Sequence, residues 1–205
     1  MKYSATNTLA PVLLALTTVV CQAQDFSADV VYKSAPDTQE SSGGAGAAAL
    51  SPTARIFVSK TNMRLESRGM TDVVMLVNAV DRTSVVLYPT QKTYQKIGSR
   101  PSQYFRSTDV ENACAEWQKA ADKQLKCEKV GEDLVGGRKT IKYKNSLADG
   151  TAEYVWIDTK LSYVIKWDMG EAAAELQNIK EGAQSADLFE IPKSYDVTVP
   201  RRSHP

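Results

Sequence analysis

The sequence predicts a mainly β (α+β) protein: a curved antiparallel sheet with one main helix at about residues 108–123 and short lid elements. Three observations carry this. Strand-like alternation recurs about every ten residues, with turn residues in between. A single segment follows the 3.6-residue period of a helix instead. Several strand segments are apolar on both faces, so both sides of the sheet need cover. The 205 residues are 42% apolar and 24% charged, an ordinary globular composition with room for one sizeable core.

The N-terminus reads as a targeting segment. Lys2 supplies the positive start, Leu9 to Val20 form an apolar run, and Cys21-Gln22-Ala23 offers small residues at a cleavage site. Residues 1–23 are therefore expected to be a signal peptide cleaved near Ala23, placing the mature chain in the periplasm or outside the cell. The apolar run is short of the roughly 20 residues that cross a bilayer, so no transmembrane segment is expected in the mature chain. Lipidation at Cys21 is the competing reading, but Val20 fits that signal poorly. Removing residues 1–23 takes away one lysine and no acid, leaving a formally neutral mature chain with a single domain over 24–199.

Phe26 to Lys33 alternates as a first strand, with Phe26, Ala28, Val30 and Tyr32 on one side. Residues 34–52, including SSGGAGAAA, are too poor in large apolar side chains to offset their ordering entropy and read as a flexible loop. A meander follows: Ala54 to Val58, a turn at Thr61-Asn62, Met63 to Glu66, Val73 to Val80, Val85 to Tyr88 and Tyr94 to Ile97. In Thr108 to Gln124 the apolar residues Val110, Ala113, Cys114, Trp117, Ala120 and Ala121 make a helical stripe, and Thr108 with Glu111 matches a capping box. Strand patterns return after Gly131 with Lys139 to Asn145, Thr151 to Ile157, Tyr163 to Trp167 and Ala172 to Ile179. Ala186 to Pro192 reads as an apolar clasp that ends on the sheet, and residues 200–205 as a disordered tail.

Cys114 and Cys127 remain after cleavage, in a compartment that permits oxidation, and are expected to pair. A bridge needs Cα atoms within about 7 Å, so the helix must end near Asp122 and the chain must double back. Two thiols without nearby histidines do not complete a zinc shell; no metal or other cofactor is expected.

Little chemistry is in view. The only histidine is His204, in the tail, which leaves Ser/His/Asp and Cys/His catalysis without a base. Gly44-x-Gly46-x-x-Ala49 has the letters of a dinucleotide fingerprint but lies far from its strand and opens no amphipathic helix. The near-zero net charge gives no field to attract nucleic acid. The chain reads as a non-enzyme.

One helix covers a strip about 10 Å wide, less than a sheet of nine or ten strands at about 4.8 Å spacing. Apolar surface is left over. Tyr88, Tyr94, Tyr154, Trp156, Tyr163 and Trp167 are the candidate walls of an apolar ligand cavity, with ordinary core packing as the competing reading of each.

The strand pairs ARIFVSKTNMRLES and VVMLVNAVDRTSVVLYPTQKTYQKI, the helix, and then GGRKTIKYKN, TAEYVWIDTKLSYVIKWDM, AAAELQNIKEG and ADLFEIPKSYDV form an order that resembles the LolA/LolB superfamily of lipoprotein carriers, in particular its uncharacterised exported bacterial branch. The resemblance implies a half-barrel, an incomplete antiparallel barrel closed by helices over an apolar concave side. It also implies a ligand, an acyl chain or lipoprotein, held by hydrophobic contact. It departs from the carrier at residues 34–52, where the carrier has a lid helix and this chain has its Gly/Ala/Ser loop. The expected function is a periplasmic binding or carrier protein, with an envelope protein-protein interaction module as the alternative.

Overall fold

The computed structural model describes residues 25–34, 53–68, 72–97, 105–120, 126–146, 150–170 and 172–198. The expected signal peptide, the tail, the glycine motif, His204 and all of the 34–52 loop except Ser34 lie outside the described residues.

Twelve strands form one sheet: β1 (Phe26–Ser34), β2 (Thr53–Val58), β3 (Asn62–Arg68), β4 (Val73–Asn78), β5 (Thr83–Tyr88), β6 (Thr93–Ile97), β7 (Lys126–Val135), β8 (Arg138–Ser146), β9 (Ala152–Asp158), β10 (Tyr163–Asp168), β11 (Ala172–Glu181) and β12 (Asp196–Val197). Their order is β12-β6-β5-β4-β3-β2-β1-β11-β10-β9-β8-β7. Neighbours are antiparallel except β12, which runs parallel to β6. The ladder does not close on itself, since β7 and β12 end it. This is the incomplete barrel expected. Its N-terminal and C-terminal meanders are joined only where β1 pairs with β11.

Register explains why the apolar pattern works. Phe26, Ala28 and Val30 sit opposite Val58, Ile56 and Ala54, which lead on to Met63 and Leu65 and then Val77 and Met75. Because side chains alternate along each strand, these residues share one face, and most are buried in the main core. On the other face of β4 and β5, Val74, Leu76, Val85 and Leu87 are covered by Ile191 and Tyr195 from the C-terminal clasp. The clasp contains a 3-10 turn at Ala186–Phe189, and Arg64 Nη1 donates to the Leu188 carbonyl at 3.0 Å. The double-faced apolar run at 73–77 is thus accounted for.

Helix α1 spans Ala113–Ala120, later and shorter than the expected 108–123. The capping box does not form. Asp109 Oδ1 instead accepts from the Glu111 amide at 3.0 Å and its Oδ2 from Asn112 Nδ2 at 2.8 Å, closing a local Asx turn that competes with helix over 109–112. The helix packs Ala113 and Trp117 on Ile141, Tyr143, Ile157 and Val164. Cys114 and Cys127 are bridged with a Cα separation of 5.4 Å, tying α1 to the edge strand β7. Strand β7 itself was not expected, because its charged sequence KCEKVGEDLV carries no apolar alternation. Lying at the sheet edge, it has only one residue, Val135, fully buried. The two-residue β12 was also missed, being too short to show a period.

Candidate functional site

A cavity of about 550 Å³, with mostly apolar walls, opens between the end of the sheet and α1. That volume falls within the roughly 300–1,000 Å³ of small-molecule sites. Its walls come from the β2–β3 turn (Val58 to Met63), the β4–β5 turn (Ala79, Val80, Arg82), the segment before the helix (Arg106, Thr108), the helix itself (Glu116, Trp117, Lys119), and Tyr163 at the start of β10.

Local chemistry sets each wall. In the β4–β5 turn Asn78 Oδ1 accepts from the Val80 and Asp81 amides at 2.9 Å, and Val80 stands 70% exposed at the rim. Strand β10 pairs with β11 only over Lys166 to Asp168. Nearer Tyr163 its edge is taken by Phe105–Ser107: Val164 N donates to the Phe105 carbonyl at 2.6 Å, Ser107 N to the Ser162 carbonyl at 3.0 Å, and Arg106 bridges Tyr163. This insertion carries Arg106 and Thr108 into the cavity wall. Glu116 then fastens the helix to it, accepting from Ser107 Oγ at 2.6 Å, Thr108 Oγ1 at 2.7 Å and Thr108 N at 3.0 Å. Below, Tyr143 Oη donates to the Val110 carbonyl at 2.7 Å and accepts from Ala113 N at 3.3 Å, with its ring edge-on to Trp117 at 5.4 Å.

Of the six aromatics singled out in the sequence, Tyr163 lines the cavity. It is buried, edge-on to Phe26 at 5.1 Å, stacked on Phe105 at 6.2 Å, and its hydroxyl contacts Met63 Sδ at 3.3 Å. Burial pushes the hydroxyl well above the ordinary tyrosine range. Trp167 is edge-on to Phe105 at 6.1 Å and packs against both the main core and the cluster beneath the helix, outside the cavity wall. Tyr88 shares a sheet face with Val86 but stands outside the cavity wall. Tyr94 lies on the opposite face, against the cluster under the clasp. Tyr154 and Trp156 are neighbours at 6.4 Å, and Trp156 is flanked by Lys142 and Lys166 at 4.7 and 4.6 Å from its ring, with its Nε1 donating to Asp133 Oδ2 at 2.8 Å.

The charged residues of the cavity escaped the sequence reading. Lys60, Arg82 and Lys119 are exposed at its rim, and Arg106 is half-buried within, 5.8 Å from the Tyr163 ring centre, with Nη2 donating to the Ser59 carbonyl at 3.3 Å. Burial lowers the Arg106 pKa from its ordinary value while Tyr163 and Asp25 oppose that fall; arginine stays protonated regardless. Against these four cations the wall has one acid, Glu116. Among the described residues no group of His, Cys, Asp and Glu could hold a metal, and no helix is long and apolar enough to cross a membrane.

No family model matches the chain, and no curated protein does. Solved structures do. An uncharacterized conserved protein from Thermus thermophilus superposes with a TM-score of 0.53 at 10% identity, over 87% of this chain and 91% of that one. The two share a fold. The MucA/MucB complex of Pseudomonas aeruginosa matches with a TM-score of 0.48 at 11% identity, over 85% of this chain and 58% of that one. The LolA superfamily protein NE2245 of Nitrosomonas europaea matches with 0.36 at 10% identity, over 82% and 90%.

Proposed function

We propose that this chain is an exported, non-enzymatic binding or carrier protein that holds an acyl chain or a similar apolar ligand in the cavity between α1 and the sheet. The observation that carries this reading is the cavity itself: about 550 Å³ with mostly apolar walls, while the clusters under α1 and under the clasp are packed. Val58, Met63, Trp117 and Tyr163 supply the apolar contact. Apolar burial of about 25 cal/mol per Å² gives such a site affinity without directional chemistry. The leader-like N-terminus and the disulfide fit a periplasmic setting.

Native mass spectrometry of the protein purified from its own envelope tests this. A bound mass equal to one lipid or fatty acid, recovered on extraction, supports the reading. A ligand-free monomer that also fails to take up dansylaminoundecanoic acid refutes it.

The alternative of a protein-docking module draws on one observation, the open edge of β7, where Val130 and Leu134 are 53% and 67% exposed. Lys126, Glu128, Lys129, Glu132 and Asp133 alternate around them and disfavour strand addition, so the cavity carries the stronger reading.

A further inference from the structure

The walls of the cavity are mostly apolar, yet two donors of its lining side chains have no partner. Arg106 Nη1 and Trp117 Nε1 are both buried without a hydrogen bond, and both side chains line the cavity. Trp117 as a whole is 2% exposed. Buried polar groups are nearly always satisfied, so such a pair calls for an acceptor. The one acid of the walls, the Glu116 carboxylate, is engaged by Ser107 and Thr108. Asp25 is close enough to favour the charged form of Arg106, but no ion pair joins them. Its own Oδ1 is buried without a partner, so it does not supply the missing bond. Around the opening Lys60, Arg82 and Lys119 add positive charge, and no ion pair neutralises them among the described residues.

We propose that the cavity selects amphiphiles with an anionic headgroup, the headgroup seated against the Arg106 guanidinium and the chain lying against Val58, Met63 and Tyr163. The inference rests on the carrier reading and adds to it a ligand class: a carboxylate or a phosphate monoester on a single acyl chain. The guanidinium is a fixed positive charge with donors only, which suits either group. The exposed cations at the rim raise the local concentration of such anions and lose that effect in salt.

Calorimetric titration of the intact protein with laurate, dodecanol and lauroyl lysophosphatidate separates the possibilities. Laurate or lysophosphatidate is expected to bind about tenfold or more tighter than dodecanol, the yield of one charge-assisted pair of bonds. The arm with the larger advantage identifies carboxylate or phosphate. Arg106→Gln is expected to bring the anion down to the affinity that the same variant has for the alcohol, with an unchanged far-ultraviolet circular dichroism spectrum and a cooperative thermal melt showing the variant to be folded. Equal binding of all three ligands overturns the headgroup inference and leaves the carrier reading standing. Binding of none overturns the carrier reading. An anion preference that survives in Arg106→Gln overturns the assignment to Arg106.

Discussion

Asp158 is the position where a single deletion tests the construction of the cavity floor. The residue is 1% exposed at the end of β9. Oδ1 accepts from the Lys160 and Leu161 amides at 2.8 and 2.7 Å, Oδ2 pairs with Arg138 Nε, and the Asp158 carbonyl receives the Ser162 amide at 2.9 Å. These bonds fold the tight turn that delivers Leu161 and Tyr163 to the core and lets Ser162 accept from Ser107. Asp158→Ala removes two bonds to a charged acceptor, each worth about 1.5–3 kcal/mol, and leaves Arg138 with Glu181 alone. Deleting one member of a buried pair costs about 3–5 kcal/mol, and because these contributions overlap the expected loss is about 4 kcal/mol. For a domain of this size that lowers Tm by about 8–16 °C. Asp158→Asn keeps an oxygen for the two amides and loses only the charge facing Arg138, so about half the loss is expected. Urea unfolding followed by circular dichroism and tryptophan fluorescence measures both. A cost below about 1 kcal/mol for the alanine variant, or equal costs for the two, refutes this account of the turn.

Replacing Cys114 and Cys127 by alanine releases a cross-link between residues 13 apart and should cost about 3 kcal/mol by the chain-entropy relation, read as a lower Tm that reducing agent reproduces in the parent protein. Tyr143→Phe strands the Val110 carbonyl and the Ala113 amide at the start of α1, and a loss of about 1–2 kcal/mol in denaturant melts is expected. Lys160, with Arg138 beside it, holds the Glu181 carboxyl below its ordinary value. A lowered folded-state pKa stabilises above the unfolded value and is lost as pH falls through the folded one. Stability should therefore decline on the acid side of the ordinary glutamate range, and Glu181→Gln should flatten that part of the profile.

The strands were legible wherever one or both faces are buried. Phe26 to Tyr32, Ala54 to Val58 and Ile141 to Tyr143 alternate because water lies on one side only, and Val73 to Val77 does not alternate because the clasp covers its second face. Strand β7 was invisible for the converse reason: an edge strand exposes both faces, and its composition follows solubility. The helix stripe was correctly read, but its start was not, because Asp109 outcompetes Thr108 for the local amides. Among the cavity residues, Tyr163 could be nominated from aromatic content and Trp117 belongs to a stripe that reads as core. Arg106 gives no signal in the sequence. Its role depends on the pairing of 105–107 with β10, a contact between segments far apart in the chain.

The seam between β1 and β11 has a kinetic consequence. Phe26 finds its ladder partner at Glu181 and Ser34 at Ala172, so the first strand waits for almost the last before the two meanders become one sheet. Topologies dominated by such distant pairings have high contact order and close slowly. A polypeptide emerging from the ribosome cannot complete this ladder until synthesis is nearly over, whereas the hairpins of β1 to β6 need only their own neighbours.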